Sequence, residues 1–224
     1  MKKLLTALSL LSLSACAHLS SSPSSIKLFD SQTTDLKNWH QVGPGKFVIE
    51  HQLLKSEGGM GLLYYKKQKF GNVKIHVVYK VTYADTNSGI FVRIAHTPKS
   101  AWDAVHHGYE IQICDKGKDA FDDYHITGAV YTFAKANQLS TRAIGQWNDL
   151  DVVLNHEKIT VFVNHVKASE YKTGDWSPKR GRYSDPKRGP RPEYGFLGIQ
   201  NHDHDGSHKD SHVYFKEITV TPLS

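Results

Sequence analysis

The chain has 224 residues, with 28 Lys and Arg against 22 Asp and Glu, a formal charge of +6 and a hydrophobic share of 39%. That share can build a core, which excludes an intrinsically disordered chain, and beyond residue 20 no stretch reaches the ~18 consecutive apolar residues of a membrane-spanning helix. The 17 Gly, 8 Pro and 11% aromatics are spread as in proteins of short strands and turns, and two cysteines, Cys16 and Cys114, supply no disulfide framework.

The chain opens with Lys2 and Lys3, an apolar run from Leu4 to Leu13, and then Ser14-Ala15-Cys16. A charged start, a short apolar segment and small residues at a cleavage point make an export signal. Leu13-Ser14-Ala15-Cys16 resembles the bacterial lipoprotein box, which implies cleavage before Cys16 and acylation of its thiol, so that the mature protein is anchored to a bilayer. Ala17 follows the cysteine where an Asp would signal inner-membrane retention, which favours the outer membrane, facing the periplasm. Loss of Lys2 and Lys3 leaves a charge of +4. The expected organisation is a signal over residues 1–15, a Ser-rich tether over 16–25 and one domain over 26–224. Cys114 then has no partner and reads as a small buried residue.

Within the domain a two-residue period dominates. Val73, Ile75, Val77, Tyr79, Val81 and Tyr83 alternate with polar residues, broken only by Val78, and predict the clearest half-buried strand. Further strands are predicted at 46–50, 62–65, 89–95, 109–115, 128–133, 148–154, 158–163, 195–201 and 212–221, with no convincing long amphipathic helix. The fold class is all-β, a two-sheet sandwich. Turns are predicted at Gly43-Pro44-Gly45, Gly58-Gly59, Asn87-Ser88-Gly89, Asn155-His156 and Asn164-His165, the Asn residues tolerating left-handed backbone.

Alternation also sorts polar residues by face. Glu110 and Gln112 oppose Ile111 and Ile113, and Arg93 opposes the aliphatics of its own strand, so all three are expected on non-core faces. If the two strands are neighbours, a cation, a carboxylate and an amide share one face. A solvated face with an Arg–Glu pair and a binding site both fit.

The strings Asn87-Ser88-Gly89-Ile90-Phe91-Val92-Arg93, Gly108-Tyr109-Glu110-Ile111-Gln112-Ile113-Cys114-Asp115, Thr127-Gly128-Ala129-Val130-Tyr131, Gln146-Trp147-Asn148 and Gly198-Ile199-Gln200-Asn201-His202 resemble the 3-keto-disaccharide hydrolase domain, in order and over nearly all of 26–224. The resemblance implies a jelly roll of the concanavalin A-like lectin and glucanase type, with a concave face that receives sugars. It carries the family's polar positions onto Arg93, Glu110, Gln112, Asp115, Gln200 and His202. Three departures stand out. The family's Asn-Gly turn is Asn164-His165 here, its terminal Phe-Arg-Asn is Phe215-Lys216-Glu217, and the stretch after His202 is longer and His-rich.

The implied chemistry is cleavage of 3-keto-glycosides. A carbonyl at C3 acidifies the C2 hydrogen; a base removes it, the C1 substituent leaves, and water adds back. This needs one positioned base and a group for the enolate charge, not the paired carboxylates of ordinary glycosidases. Glu110 or His202 is the candidate base and Arg93 the candidate for the oxyanion, with Lys216 as a weaker one. Gln112, Asp115, Gln200 and Lys216 form the candidate substrate-binding set. No cofactor is implied. The partners are the carbohydrate and a sugar 3-oxidoreductase that makes the ketone; nucleic acid does not suit an exported protein. A lectin-like envelope lipoprotein on the same jelly roll, or one with a degenerate site, is the alternative.

Three further features remain. The tract from Asn201 to His212 holds imidazoles and carboxylates, but its spacing matches no zinc motif, so it reads as a solvated polar loop with one functional His and no metal, a bound metal ion or a pH-responsive rim being the alternatives; His106 and His107 could join it in space. The stretch 179–193 carries six Lys and Arg against two acids and reads as a solvated loop, a contact for anionic headgroups or a lid. Trp102 and Trp176 either stack on a sugar ring or anchor their loops, and Trp147 is expected at a sheet edge.

Overall fold

The computed structural model describes residues 24–178, 191–202 and 210–223. The predicted signal, Cys16, most of the tether, the basic stretch up to residue 190 and the centre of the His-rich tract lie outside these residues.

Thirteen strands and one short helix follow one another among the described residues: β1 (Ile26–Phe29), β2 (Trp39–Val42), β3 (Lys46–Glu50), β4 (Leu53–Glu57), β5 (Met60–Tyr65), β6 (Val73–Val81), β7 (Ser88–Ile94), α1 (Ala101–His107), β8 (Tyr109–Ile113), β9 (Asn148–Asn155), β10 (Lys158–Val163), β11 (Val166–Lys172), β12 (Phe196–His202) and β13 (Val213–Pro222). They form two antiparallel sheets. The larger runs β11-β10-β9-β6-β13-β4-β3, with β1 also paired to β13; the smaller runs β2-β5-β12-β7-β8. The two-sheet jelly-roll sandwich read from the sequence is the fold.

The core lies between the sheets because each strand sends alternate side chains inward. In β6, Val73, Ile75, Val77, Tyr79 and Val81 are buried against Ile90, Val92, Ile111, Ile113 and Ile199 of the smaller sheet. Hairpin turns follow local chemistry. Asn164 and His165 adopt φ of 48° and 68° between β10 and β11, the paired left-handed geometry that an Asn-Gly turn would supply.

Three sequence expectations change. Residues 128–133 are not a strand: Gly128 and Thr132 have φ of 90° and 62°, and only Val130 makes isolated bridges, to Ile111 and Ala134. The segment instead lies along β8 and covers that sheet edge. The strands β1, β2, β4 and β11 were not predicted. Trp102 stands on a helix, not a loop: Ser100 caps α1 by accepting from the Asp103 N–H at 3.2 Å, and Ala101, Ala104 and Val105 are buried.

Candidate functional site

The outer face of the smaller sheet is built by register. Gly89 of β7 lies opposite Gln112 of β8 on one side and Gln200 of β12 on the other; the next row pairs Glu110 with Phe91, and Phe91 with Gly198. Cross-strand partners share a face, so Glu110, Gln112 and Gln200 surround the bare backbone of Gly89. A Cβ at Gly89 would stand 2.4 Å from Glu110 Oε1 and 2.8 Å from its Cγ. The Glu110 side chain is therefore folded across the space that only a glycine leaves open.

The other half of this face is apolar. Leu62, Tyr64, Phe91 and Ile94 pack under Ala101, Ala104 and Val105 of α1, so the helix roofs one end of the sheet and the polar set occupies the other.

Electrostatics single out Glu110. It is 5% exposed, its carboxylate has no hydrogen bond or ion pair among the described residues, and burial alone pushes its pKa from an ordinary 4.5 up to about 8. Among the described residues the amide oxygens of Gln112 and Gln200 are buried without a hydrogen-bond partner. Buried polar atoms are nearly always paired, so two such atoms beside the Glu110 carboxyl mark an enclosure suited to a polar ligand. Cys114 is buried beyond Gln112, and burial pushes its thiol up to about 12, which makes it inert near neutrality.

His202 closes the polar end of the face. Asn87 Nδ2 donates to His202 Nδ1 at 3.0 Å and to Asp119 Oδ2 at 2.9 Å, while its Oδ1 accepts from Gln112 Nε2 at 3.3 Å. In that arrangement Nδ1 of the imidazole is an acceptor, so the neutral ring carries its proton on Nε2. Asn87 and Asp119 were not singled out as site residues from the sequence; Asn87 opened a turn motif and the first of the family strings but was given no role.

Three candidates lie elsewhere. Arg93 does not share a face with Glu110. Its φ of 56° and the register shift opposite Phe196 and Gly198 make a bulge, so Ile94 takes the outward position beside Phe91 while the guanidinium turns inward to donate to the His156 carbonyl in the β9–β10 turn. The expected cation–carboxylate pair is absent because alternation fails at a bulge. Asp115 leaves the sheet, with its carboxylate accepting from the Thr127 hydroxyl at 2.6 Å and the Thr141 hydroxyl at 2.8 Å, and so ties down the loop after β8. Lys216 is exposed on the outer face of the larger sheet, 5.9 Å from the Trp147 ring, with the whole core between it and Glu110. His106 and His107 also stand apart from His202. They sit at the α1 end, where the His107 and His96 rings are 4.7 Å apart, and β12 carries His202 about 20 Å from its Phe196 end.

The described part of the basic stretch contributes Arg191. It is 8% exposed, donates through Nε to the Gly108 carbonyl at 2.5 Å, and stacks over Tyr109 and Phe133. This cation braces the strand that bears Glu110 instead of facing solvent.

The family model for the 3-keto-alpha-glucoside-1,2-lyase-like domain matches residues 24–221. The chain belongs to that family. Among solved structures, it is similar to a candidate glycosyl hydrolase from Parabacteroides distasonis at 22% identity and a TM-score of 0.70, with 89% of this chain and 100% of the other covered. It is similar to a galectin-like protein of unknown function from Bacillus subtilis at 9% identity and a TM-score of 0.63, covering 90% and 97%. The carbohydrate-binding module CBM66 of Bacillus subtilis matches at 10% identity and a TM-score of 0.52, covering 82% and 95%. No curated protein matches the chain. Family membership and this fold support a carbohydrate-acting or carbohydrate-binding role.

Proposed function

We propose that the protein cleaves 3-keto-glycosides on the outer face of its smaller sheet, with Glu110 as the base that removes the C2 proton. The observation that carries this reading is the enclosed Glu110 carboxyl, which has no partner among the described residues: burial raises its pKa to about 8, so the ionised form, populated as pH approaches 8, is a stronger base than an ordinary carboxylate. Elimination next to a ketone needs one positioned base, whereas direct hydrolysis through an oxocarbenium-like state needs a matched pair of facing carboxylates.

The geometry supports the following roles. Gln112 and Gln200 flank Gly89 and accept hydrogen bonds from hydroxyls of the sugar through amide oxygens that have no partner among the described residues. The enolate oxygen needs a donor. With Arg93 turned away, that role passes to the Nε2–H of His202, whose ring is held by Asn87. Asn87 precedes Gly89 by two residues, about 7 Å along the strand direction, which leaves room for a ring between base and donor. The proton taken by Glu110 leaves with the C1 substituent, and water adding back to the resulting double bond completes the cleavage. Such a substrate must come from an oxidoreductase acting at C3.

The carbohydrate-binding alternative draws support from the likeness to CBM66. Incubating the purified protein with plain and 3-oxidised disaccharides separates the two. Release of sugar from the oxidised compound alone is expected, whereas binding without release turns the reading into that of a lectin-like module.

The location belongs to the same proposal. The Leu13-Ser14-Ala15-Cys16 ending supports an acylated, envelope-anchored protein on the outer membrane. Cys16→Ala is expected to move the protein from the membrane fraction to the soluble one; unchanged fractionation removes the anchor from the proposal.

A further inference from the structure

A second concavity lies away from Glu110, on the side of the sandwich where the loop after β8 meets β11. It is a groove of about 320 Å³, at the lower end of the roughly 300–1,000 Å³ of small-molecule sites. Its floor is rigid. The rings of Phe133 and Tyr171 are 5.2 Å apart and both pack on Tyr109, at 5.1 and 5.7 Å. Its lip is Trp176, which is 79% exposed and has not been drawn into the core as an anchor for its loop. An indole left in water forgoes the stabilisation its burial would give, so its flat face is available to a ligand.

The polar lining is balanced in charge. Lys135 and Asn137 come from the loop after β8; Lys167, Glu170 and Asp175 come from β11 and the residues after it. Lys167 already pairs with Glu170 at 2.8 Å, and two ammonium groups against two carboxylates sum to zero. Such a lining does not select an anion or a cation. It suits a neutral ligand rich in hydroxyls, each of which donates and accepts, with an apolar ring face to lie on the indole.

We propose that this groove is a second saccharide site that holds a neutral oligosaccharide, one pyranose ring stacked on Trp176 and its hydroxyls bonded to Asn137, Lys135 and Asp175. The proposal rests on the carbohydrate reading of the chain and is independent of the chemistry at Glu110. One short segment serves both places. The Tyr131 N–H donates to the Glu110 carbonyl at 2.8 Å, and two residues later Phe133 begins the groove wall. A longer glycan held in the groove is thereby kept beside the strand that bears the base.

The test is calorimetric titration of the full chain with maltotriose, cellotriose and chitotriose, with trigalacturonate as the anionic counterpart. At least one neutral trisaccharide is expected to bind. Trp176→Ala should weaken it at least tenfold, Trp176→Phe should keep most of the affinity, and Glu110→Gln should leave it unchanged. The proposal is overturned if none of the three binds, if binding is insensitive to Trp176→Ala, or if trigalacturonate binds more tightly than any neutral probe. Turnover of a 3-keto-disaccharide by Trp176→Ala should equal the parent's. Absence of turnover in the parent would remove the reading of Glu110 and leave the titration standing.

Discussion

The two sheets of the sandwich turn polar residues outward in the same alternating pattern, yet they treat them in opposite ways. On the larger sheet, His76 bonds to Asp151 at 2.8 Å, Lys74 to Asp151 at 3.0 Å and Lys55 to Glu50 at 3.0 Å, while the Lys80 ammonium rests 4.9 Å from the Trp147 ring and 5.0 Å from that of Tyr214. On the smaller sheet, the buried Glu110 carboxyl and the buried amide oxygens of Gln112 and Gln200 have no hydrogen-bond partner among the described residues. The first arrangement is what a solvated face settles into, and each of its exposed pairs contributes little. The second is costly for the fold, which is the property expected of a site shaped for something other than stability.

The sharpest way to break this contrast is to neutralise one carboxylate on each face. Glu110→Gln keeps the shape of the side chain and should lower turnover of a 3-keto-disaccharide by about 10²–10⁴-fold. Asp151→Asn should leave turnover within twofold of the parent. Equal turnover in Glu110→Gln and the parent would move the site elsewhere.

The same variant should gain stability at high pH. The folded state holds the Glu110 proton up to about pH 8, whereas the unfolded chain releases it near 4.5. The stabilisation is therefore complete below pH 4.5 and is lost as pH rises towards 8. Relative to the parent, Glu110→Gln should be more stable at pH 8.5 than at pH 5 by on the order of 3–5 kcal/mol, read from urea midpoints at the two values. A gap that does not change with pH would mean that the carboxylate is solvated after all.

Gly89→Ala should have a smaller effect. The new methyl meets the end of a side chain, so Glu110 swings away and the strand survives. A loss of turnover of up to about 10²-fold is expected, the size that a displaced catalytic group produces, with a melting temperature close to the parent's. A large loss of stability instead would show that Glu110 cannot move.

The smallest effect should fall on the larger sheet. The Asp151 carboxyl is raised by burial but lowered more by its bonds to His76 and Lys74, while the bond to Asp151 raises the His76 imidazole. The aspartate's contribution fades as pH falls below about 4, and the histidine's fades as pH rises above about 6.5. Asp151→Asn should cost about 1 kcal/mol near pH 5.5 and less at pH 8.5, checked by thermal melts at both values.

How much of this was legible in the sequence differs by level. Strong alternation exposed β6, β9, β10 and β13, and it set Glu110 and Gln112 opposite Ile111 and Ile113. Weak patterns hid β11, whose Val-Lys-Ala-Ser-Glu-Tyr-Lys is an edge strand with one apolar side, and β4, which follows a turn made by His51 and Gln52 at φ of 49° and 63° without any glycine. Arg93 was misplaced for a geometric reason: period-two reasoning assumes an unbroken pleat, and one left-handed residue reverses every side chain beyond it. Asp115 matched a motif and Lys216 stood where a motif departs, but their surroundings depend on the loop after β8 and on which sheet receives β13. The enclosure of Glu110 was out of reach because it is made by residues far apart in the chain.

The placement of β13 has a consequence for how the molecule is made. The last strand sits inside the larger sheet, between β6 and β4, and it also pairs with β1, the first strand. Until residues 213–222 are present, β1 has no strand partner among the described residues, and the β3–β4 hairpin has no strand to join it to β6. The sheet must therefore close from its two chain ends at once, through contacts of nearly maximal sequence separation, which makes folding slow and post-synthetic. In the proposed export of this chain as an extended thread, that delay would be an advantage, since the chain lacks the piece that would lock it shut until its last residues are made.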